Sequence, residues 1–288
     1  MSSSSEIPTL RIVPTDSLVL HEDVDPHRVA PLMQRLVQDR VLKNPPIVAP
    51  LPDGSRSSTD APRQKRYVVL DGANRVSALR ALNIRDTLVQ VVDYFDPELK
   101  LDTWFHLVAG VKKQELHRAI QAVPGIQLRE TDLETARELL ERRSILAYLV
   151  CPEGDVLTVE GGHGFKAAAR LLKQITDTYR SIGTIYRVKT DAIDQLGQFY
   201  DEIAAILVFQ PYRPQDIINL ATDNAKLPTG VTRHVIPRRA LRVNMSLELL
   251  AAETPIEEKN AWLERWVKEK LARKEIRFYQ ESTFLFDE

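Results

Sequence analysis

The sequence predicts an α/β (α+β) protein of two packed lobes with a cleft between them. Three observations lead there. Short apolar runs alternate with amphipathic stretches of helical spacing along most of the chain. The 288 residues suffice for two domains at ~150 residues each. The composition is that of a self-supporting globular protein, with 43% hydrophobic and 27% charged residues.

Residues 1–8 read as a disordered lead-in. Ile12-Val13-Pro14 and Leu18-Val19-Leu20 are β-like runs. Residues 26–40 carry Val29, Leu32, Met33, Leu36 and Val37 at helical spacing, with Asp25 as N-cap and Pro26 in the first turn. Asn44-Pro45-Pro46 stops that helix. Ile47-Val48-Ala49 is a predicted strand, and residues 51–66 an exposed loop rich in Pro, Asp, Ser, Arg and Gly. Tyr67 to Leu70 is a continuous apolar strand, Asp71 to Asn74 a turn, residues 75–82 a helix, and Thr87 to Val92 a strand. Residues 1–100 thus form the first lobe.

Residues 101–288 are assigned to the second. A helix is predicted over 102–120, carrying Trp104, Phe105, Leu107, Val108 and Leu116 and ended by Pro124 and Gly125. Glu130 to Arg142 is a predicted helix, with Thr131 and Glu134 at capping-box spacing. Ile145 to Val150 and Val156 to Val159 form a hairpin around Glu153-Gly154-Asp155. A helix follows at 165–180, a strand at 184–189, a helix at 191–203, a strand at 204–209, a helix at 215–222 and a strand from Thr232 to Ile236. A final helix spans 255–273. Its Trp262 and Trp266, four residues apart, suit core packing or a homodimer contact.

Composition narrows the function. One cysteine, Cys151, leaves no disulfide within the chain and no cysteine-rich zinc site. No apolar stretch reaches membrane-spanning length, and the polar start lacks a secretory signal, so a cytoplasmic protein is expected. The 39 basic and 40 acidic residues weigh against a nucleic-acid partner.

The chemistry concentrates where the strand Tyr67–Leu70 runs into Asp71-Gly72-Ala73-Asn74-Arg75 and a helix. The first N–H groups of a helix are unpaired and electropositive, so this turn can receive a phosphate. Gly72 permits close backbone approach, and Arg75 offers a fork of donors. Asp71, at a strand's end, can hold a metal ion or orient a hydroxyl. The plainer alternative makes Asp71 an N-cap and Arg75 a solvated residue. Gly161-Gly162-His163-Gly164 lacks phosphate-loop spacing and reads as a tight turn.

The Asp-Gly-x-x-Arg box resembles that of the ParB/sulfiredoxin-like superfamily. His21-Glu22 before the first helix, Asn44-Pro45-Pro46 before the box, Trp104 after it and Thr232-Arg233-His234 late in the chain are similar in order to the free L-serine kinase branch. The resemblance spans roughly residues 10–245. It implies a ParB/sulfiredoxin-like first domain that handles a nucleotide and a second that completes the substrate pocket. It also implies phosphoryl transfer from ATP or ADP, assisted by Mg2+, to the hydroxyl of free L-serine, giving O-phosphoserine.

Carried over by position, Glu22 and Asp71 are catalytic, with Glu22 as general base and Asp71 holding magnesium or orienting the hydroxyl. Gly72, Ala73, Asn74 and Arg75 hold the nucleotide. Trp104, Thr232, Arg233 and His234 surround the amino acid. Some serine kinases have histidines where this chain has Ala73 and Asn74, which leaves ATP against ADP open. The rival reading is a non-enzymatic ParB-like nucleotide switch that associates with DNA or a protein. Its mark would be a helix-turn-helix after the box, and the sequence carries none. A third reading is a degenerate kinase fold that binds ligand without turnover.

Overall fold

A computed structural model describes residues 7–52, 65–162 and 164–279. Most of the expected loop at 51–66, residues 1–6 of the lead-in and His163 lie outside the described residues.

The first lobe is built on β1 (Thr9–Pro14), β2 (Leu18–Leu20), β4 (Ile47–Pro50), β5 (Tyr67–Asp71) and β6 (Asp86–Val91), with β3 (Val41–Leu42) apart from them. Helix α1 (Pro26–Asp39) separates β2 from β3, and α2 (Ala73–Ala81) separates β5 from β6. The five strands form one mixed sheet in the order β1-β6-β4-β5-β2. The β1/β6 and β4/β5 pairs are antiparallel, and β4/β6 and β2/β5 are parallel. Helix α1 starts as expected: the Asp25 carboxylate accepts from the His27 N–H at 3.0 Å.

The unbroken apolar run of β5 has a reason in its position. Val68 and Leu70 face the second lobe, while Tyr67 and Val69 face the layer that includes Val76 of α2. A strand covered on both sides shows no polar alternation.

The second lobe contains β7 (Lys100–Thr103), β8 (Phe105–Ala109), α3 (Lys113–Gln121), β9 (Gln127–Thr131), α4 (Leu133–Glu141), β10 (Ala147–Val150) and β11 (Val156–Glu160). It continues through α5 (Phe165–Ile182), β12 (Thr184–Val188), α6 (Ile193–Leu196), β13 (Ile203–Phe209), α7 (Pro214–Thr222) and β14 (Thr232–Val235). Six strands form a sheet in the order β12-β8-β13-β10-β11-β9, each neighbouring pair antiparallel. The predicted hairpin is β10/β11, with Val150 opposite Val156.

Four expectations change. Residues 102–120 are two strands and a short helix, because β8 is an interior strand whose apolar side chains fill both faces and mimic a helical stripe. Trp104 therefore sits between strands. The helix at 191–203 shrinks to Ile193–Leu196, closed by Gly197. The cap of α4 is Asp132, whose carboxylate accepts from the Thr135 N–H at 2.9 Å, so Thr131 and Glu134 form no capping box. The last segment leaves the second lobe altogether.

That segment comprises β15 (Met245–Ser246), α8 (Leu247–Ala251) and α9 (Ile256–Ala272). Strand β15 pairs with β3, and α9 lies on β1. Met245, Leu247, Leu250 and Leu263 share a core with Ile12, Leu36, Leu79 and Leu88. Trp262 and Trp266 stack at 6.0 Å and pack against that core. Asn260 brackets Ile12, accepting from its N–H at 2.9 Å and donating to its carbonyl at 2.8 Å. Lys259 is buried with Asp86 of β6 at 2.7 Å. The first lobe is thus completed from the chain's far end, and the division at residue 100 does not describe how residues 245–272 pack.

Candidate active site

The site begins where β2 runs out. Beyond Leu20 the backbone crosses to the second lobe: the Leu227 N–H donates to the His21 carbonyl at 2.8 Å, and the Asp23 N–H donates to the Leu227 carbonyl at 2.9 Å. This clamp holds Glu22 against residues 227–232. The Glu22 carboxylate accepts from the Gly230 N–H at Oε2 (2.8 Å). At Oε1 it accepts from the Thr232 N–H (2.5 Å) and lies 2.5 Å from the Thr232 hydroxyl. Gly230 has φ +79°, and a β-carbon there would fall on the Arg187 guanidinium.

Two histidines stand behind this carboxylate, on successive carbonyls of β5. His21 Nδ1 donates to the Val69 carbonyl at 2.7 Å, and its Nε2 lies 2.8 Å from Thr232 Oγ1. His234 donates to the Leu70 carbonyl, and its Nε2 lies 2.7 Å from the Tyr94 hydroxyl. The two rings meet edge to face at 5.5 Å. Burial lowers the pKa of His21 and takes that of His234 well below the ordinary imidazole value. His234 is therefore a buried, neutral residue in the wall of the cleft.

The box occupies the other side. Gly72 is the N-cap residue of α2 in a left-handed conformation (φ +94°), with no side chain capping the first turn. The helix N-terminus at Ala73, Asn74 and Arg75 opens into the cleft. Asp71 does not cap the helix. Its Oδ2 lies 3.1 Å from Arg75 and 2.9 Å from Arg239. Arg75 also donates to the Asn44 carbonyl at 2.8 Å and the Pro45 carbonyl at 3.3 Å, which ties Asn44–Pro46 to the box. Arg75 thus braces the box against Asn44 and Pro45.

Arg239 is presented by Gln90, a buried residue of β6. Its amide donates to the Arg238 carbonyl at 2.5 Å and accepts from the Ala240 N–H at 2.9 Å. The Arg238-Arg239-Arg242 cluster therefore divides. Arg238 pairs with Glu98 on the outside, while Arg239 and Arg242 line the cleft.

Trp104 is held by its N–H, which donates to the Val231 carbonyl at 2.8 Å. The Arg233 guanidinium lies 5.0 Å from its ring centre and Lys189 5.6 Å. Arg233 also pairs across the β7/β14 ribbon with Asp102 at 3.1 Å.

One cleft of about 1020 Å³ is lined by Glu22, Asp71, Gly72, Ala73, Asn74, Arg75, Trp104, Thr232, Arg233 and His234, so every candidate residue opens onto it. Sequence reasoning missed Arg187 and Gly230. Arg187 sits on an edge strand with no motif around it, and Gly230 is marked only by its positive φ. Among the described residues, no group of three or more His, Cys, Asp or Glu side chains could hold a metal by itself. No described helix is long and apolar enough to cross a membrane.

The electrostatics suit an anionic substrate. Arg28, Arg35, Arg187, Arg239 and Arg242 ring the opening around a single uncapped helix N-terminus.

No family model matches the chain. It is 21% identical over 243 residues to the ATP-dependent L-serine kinase of Staphylothermus marinus, covering 83% of this chain and 90% of that protein. It is 23% identical over 284 residues to the ATP-dependent L-serine kinase SbnI of Staphylococcus aureus, covering 97% of each. It is 20% identical over 249 residues to the ADP-dependent L-serine kinase SerK of Thermococcus kodakarensis, covering 85% and 96%. Among solved structures, a free serine kinase in complex with AMP superposes with a TM-score of 0.69 at 17% identity, covering 85% of this chain and 95% of that one. C-terminally truncated SbnI superposes at 0.64 with 21% identity, covering 93% and 97%. The mixed α/β architecture of this chain is the fold of those proteins.

Proposed function

We propose that this chain is a free L-serine kinase, which transfers a phosphoryl group from ATP or ADP to the serine hydroxyl and releases O-phosphoserine. One observation carries the reading: Glu22, the Asp71–Arg75 box, Trp104 and Thr232–His234, distant in sequence, line a single cleft. The likeness of the whole chain to proteins named as L-serine kinases supports it.

The nucleotide phosphates lie at the α2 N-terminus, where the Gly72–Arg75 amides point outward and Arg239 adds charge. Serine lies between Glu22 and Trp104, its carboxylate toward Arg233. Glu22 receives the hydroxyl proton at Oε2, which has one donor against two around Oε1. Neutralising the transferred group and aligning it with the hydroxyl supply most of the remaining rate.

Magnesium fits as an ion delivered on the nucleotide. Asp71 offers one carboxylate, which suffices beside substrate phosphates, although its Oδ2 is already shared by two arginines. The ion would neutralise developing phosphate charge. The first lobe is read as a ParB/sulfiredoxin-like nucleotide-handling unit, and the protein as cytoplasmic.

The test is direct. Purified protein with Mg2+, serine and ATP or ADP is followed by phosphorus NMR, and O-phosphoserine is expected from one donor or both. Absence of phosphorylated product with either donor, across serine and other small alcohols, overturns the reading. Glu22→Gln is expected to lower turnover by about 100-fold or more while retaining nucleotide binding. Full turnover in that variant would remove Glu22 as the base.

A further inference from the structure

The hydroxyl of Thr232 has one proton and two acceptors. Because a carbonyl oxygen can only accept, the 2.7 Å contact with the Val69 carbonyl assigns the proton of His21 to Nδ1. Burial keeps the ring neutral, so Nε2 carries a lone pair. That lone pair faces Thr232 Oγ1 at 2.8 Å, while Glu22 Oε1 faces the same oxygen at 2.5 Å. With Glu22 ionised the hydroxyl is drawn to the carboxylate, and the buried Nε2 is left facing an oxygen lone pair. With Glu22 protonated on Oε2, Oε1 loses most of its charge and keeps the Thr232 N–H as donor. The hydroxyl can then turn to Nε2, and every acceptor is filled. The chain Val69–His21–Thr232–Glu22 is complete only when one more proton has arrived.

We propose that His21 is a positioning residue for phosphoryl transfer, and that its Nε2 and the Thr232 hydroxyl form a rotor favouring the proton-loaded state of Glu22. The inference rests on the kinase reading above. In the step, the serine Oγ–H bond breaks and its proton bonds to Glu22 Oε2. Serine Oγ bonds to the terminal phosphorus of the nucleotide, and the bond from that phosphorus to the bridging oxygen breaks, leaving the shortened nucleotide. The Thr232 proton stays on its oxygen and changes only its direction, from Oε1 to His21 Nε2. With the hydroxyl turned to Nε2, the proton-loaded state leaves no buried acceptor of this chain without a donor.

The other groups around this chain are fixed or neutral. His234 stands 5.5 Å from His21 with both nitrogens engaged. Burial holds the hydroxyls of Tyr94 and Tyr212 protonated, and both feel Glu22. Arg187 acts on Glu22 and Arg239 on His234, and both remain cationic.

Two amides separate the two nitrogens of His21. His21→Asn keeps a donor for the Val69 carbonyl and removes the Nε2 acceptor. His21→Gln places an acceptor near Nε2 and gives up the Val69 contact. The rotor predicts that His21→Asn loses up to about 10-fold in kcat. Its KM values should change little, because Nε2 faces Thr232 and not the substrates. His21→Gln and Thr232→Ser should keep most of the wild-type kcat. A role limited to bracing Val69 predicts the reverse order, with His21→Gln the worse variant, and that result overturns the proposal. Nitrogen-15 NMR of the imidazoles gives a reading independent of turnover, with the His21 signal identified by its loss in His21→Asn. His21 should be protonated on Nδ1 and bare on Nε2 at neutral pH, and an Nε2-protonated ring overturns the rotor. Wild-type protein that shows this tautomer but forms no O-phosphoserine overturns the kinase reading instead.

Discussion

The buried ion pair between α9 and β6 is the sharpest place to test how the first lobe is held together. Lys259 Nζ contacts Asp86 Oδ2 at 2.7 Å, the Ala252 carbonyl at 2.6 Å and the Leu250 carbonyl at 3.2 Å. Both side chains are almost wholly enclosed, at 2% and 3% exposure. In Lys259→Met the stem is replaced at similar volume, so the main change is the loss of three donors. The Asp86 carboxylate is left in an apolar layer without its cation, which costs about 3–5 kcal/mol. Two carbonyls also lose a partner, at about 1 kcal/mol each, partly regained from water if the end of α8 loosens. The contributions overlap, and about 4 kcal/mol is the expected loss. Urea unfolding should show it as a midpoint lower by roughly 1–2 M, with hydrogen exchange in α9 rising first. Lys259→Met combined with Asp86→Val should recover at least half, because an apolar pair pays no charge desolvation. A single variant within about 1 kcal/mol of wild type, or a double variant worse than the single, would refute the argument.

Two further outcomes follow from positions near the site. His106 is buried between the Gly230 carbonyl (3.1 Å) and the Tyr179 hydroxyl (2.6 Å), and burial pushes its pKa down to about 3. The unfolded chain binds the proton near pH 6.5 and the folded chain only near 3. The stabilisation is therefore complete above pH 6.5 and is lost as pH falls. Between pH 7 and 4 this amounts to about 3 kcal/mol, and His106→Gln should flatten that limb of a urea series. Gly72→Ala places a β-carbon 3.1 Å from Pro46 Cα and Cβ in a left-handed conformation. About 1–3 kcal/mol of stability should be lost, and the KM for nucleotide should rise as Asn44–Pro46 moves off Arg75. An unchanged KM would separate the box from the nucleotide.

Much of the site was legible because its motifs are local. The run from Tyr67 to Leu82 shows strand, glycine turn and helix in order, and the structure has β5, Gly72 and α2 there. Glu22 and Thr232 could be named only through their likeness to a family, since no local pattern links residues 210 apart. What stayed hidden depends on tertiary cover. Strand β8 looked helical because both its faces are buried. Nothing in the 255–273 helix marks Lys259 as buried, because its partner Asp86 lies 173 residues away. The contact between His234 and Tyr94 is likewise invisible in the sequence, since the two lie 140 residues apart.

The return of residues 245–272 to the first sheet also sets an order of events during synthesis. The strands and helices from Phe105 to Phe209 are contiguous, so that sheet can close as soon as it leaves the ribosome. The sheet made earlier cannot. Asp86 is translated 173 residues before the lysine that neutralises it. Until then the surface awaiting α9 (Ile12, Leu79 and Leu88) is apolar with a lone carboxylate at its edge. The N-terminal lobe, first to be made, is the last to be finished, and its slow step is the closure of a very long loop. Nascent chains stopped short of residue 245 should expose that surface to chaperones, and chains released after residue 272 should not.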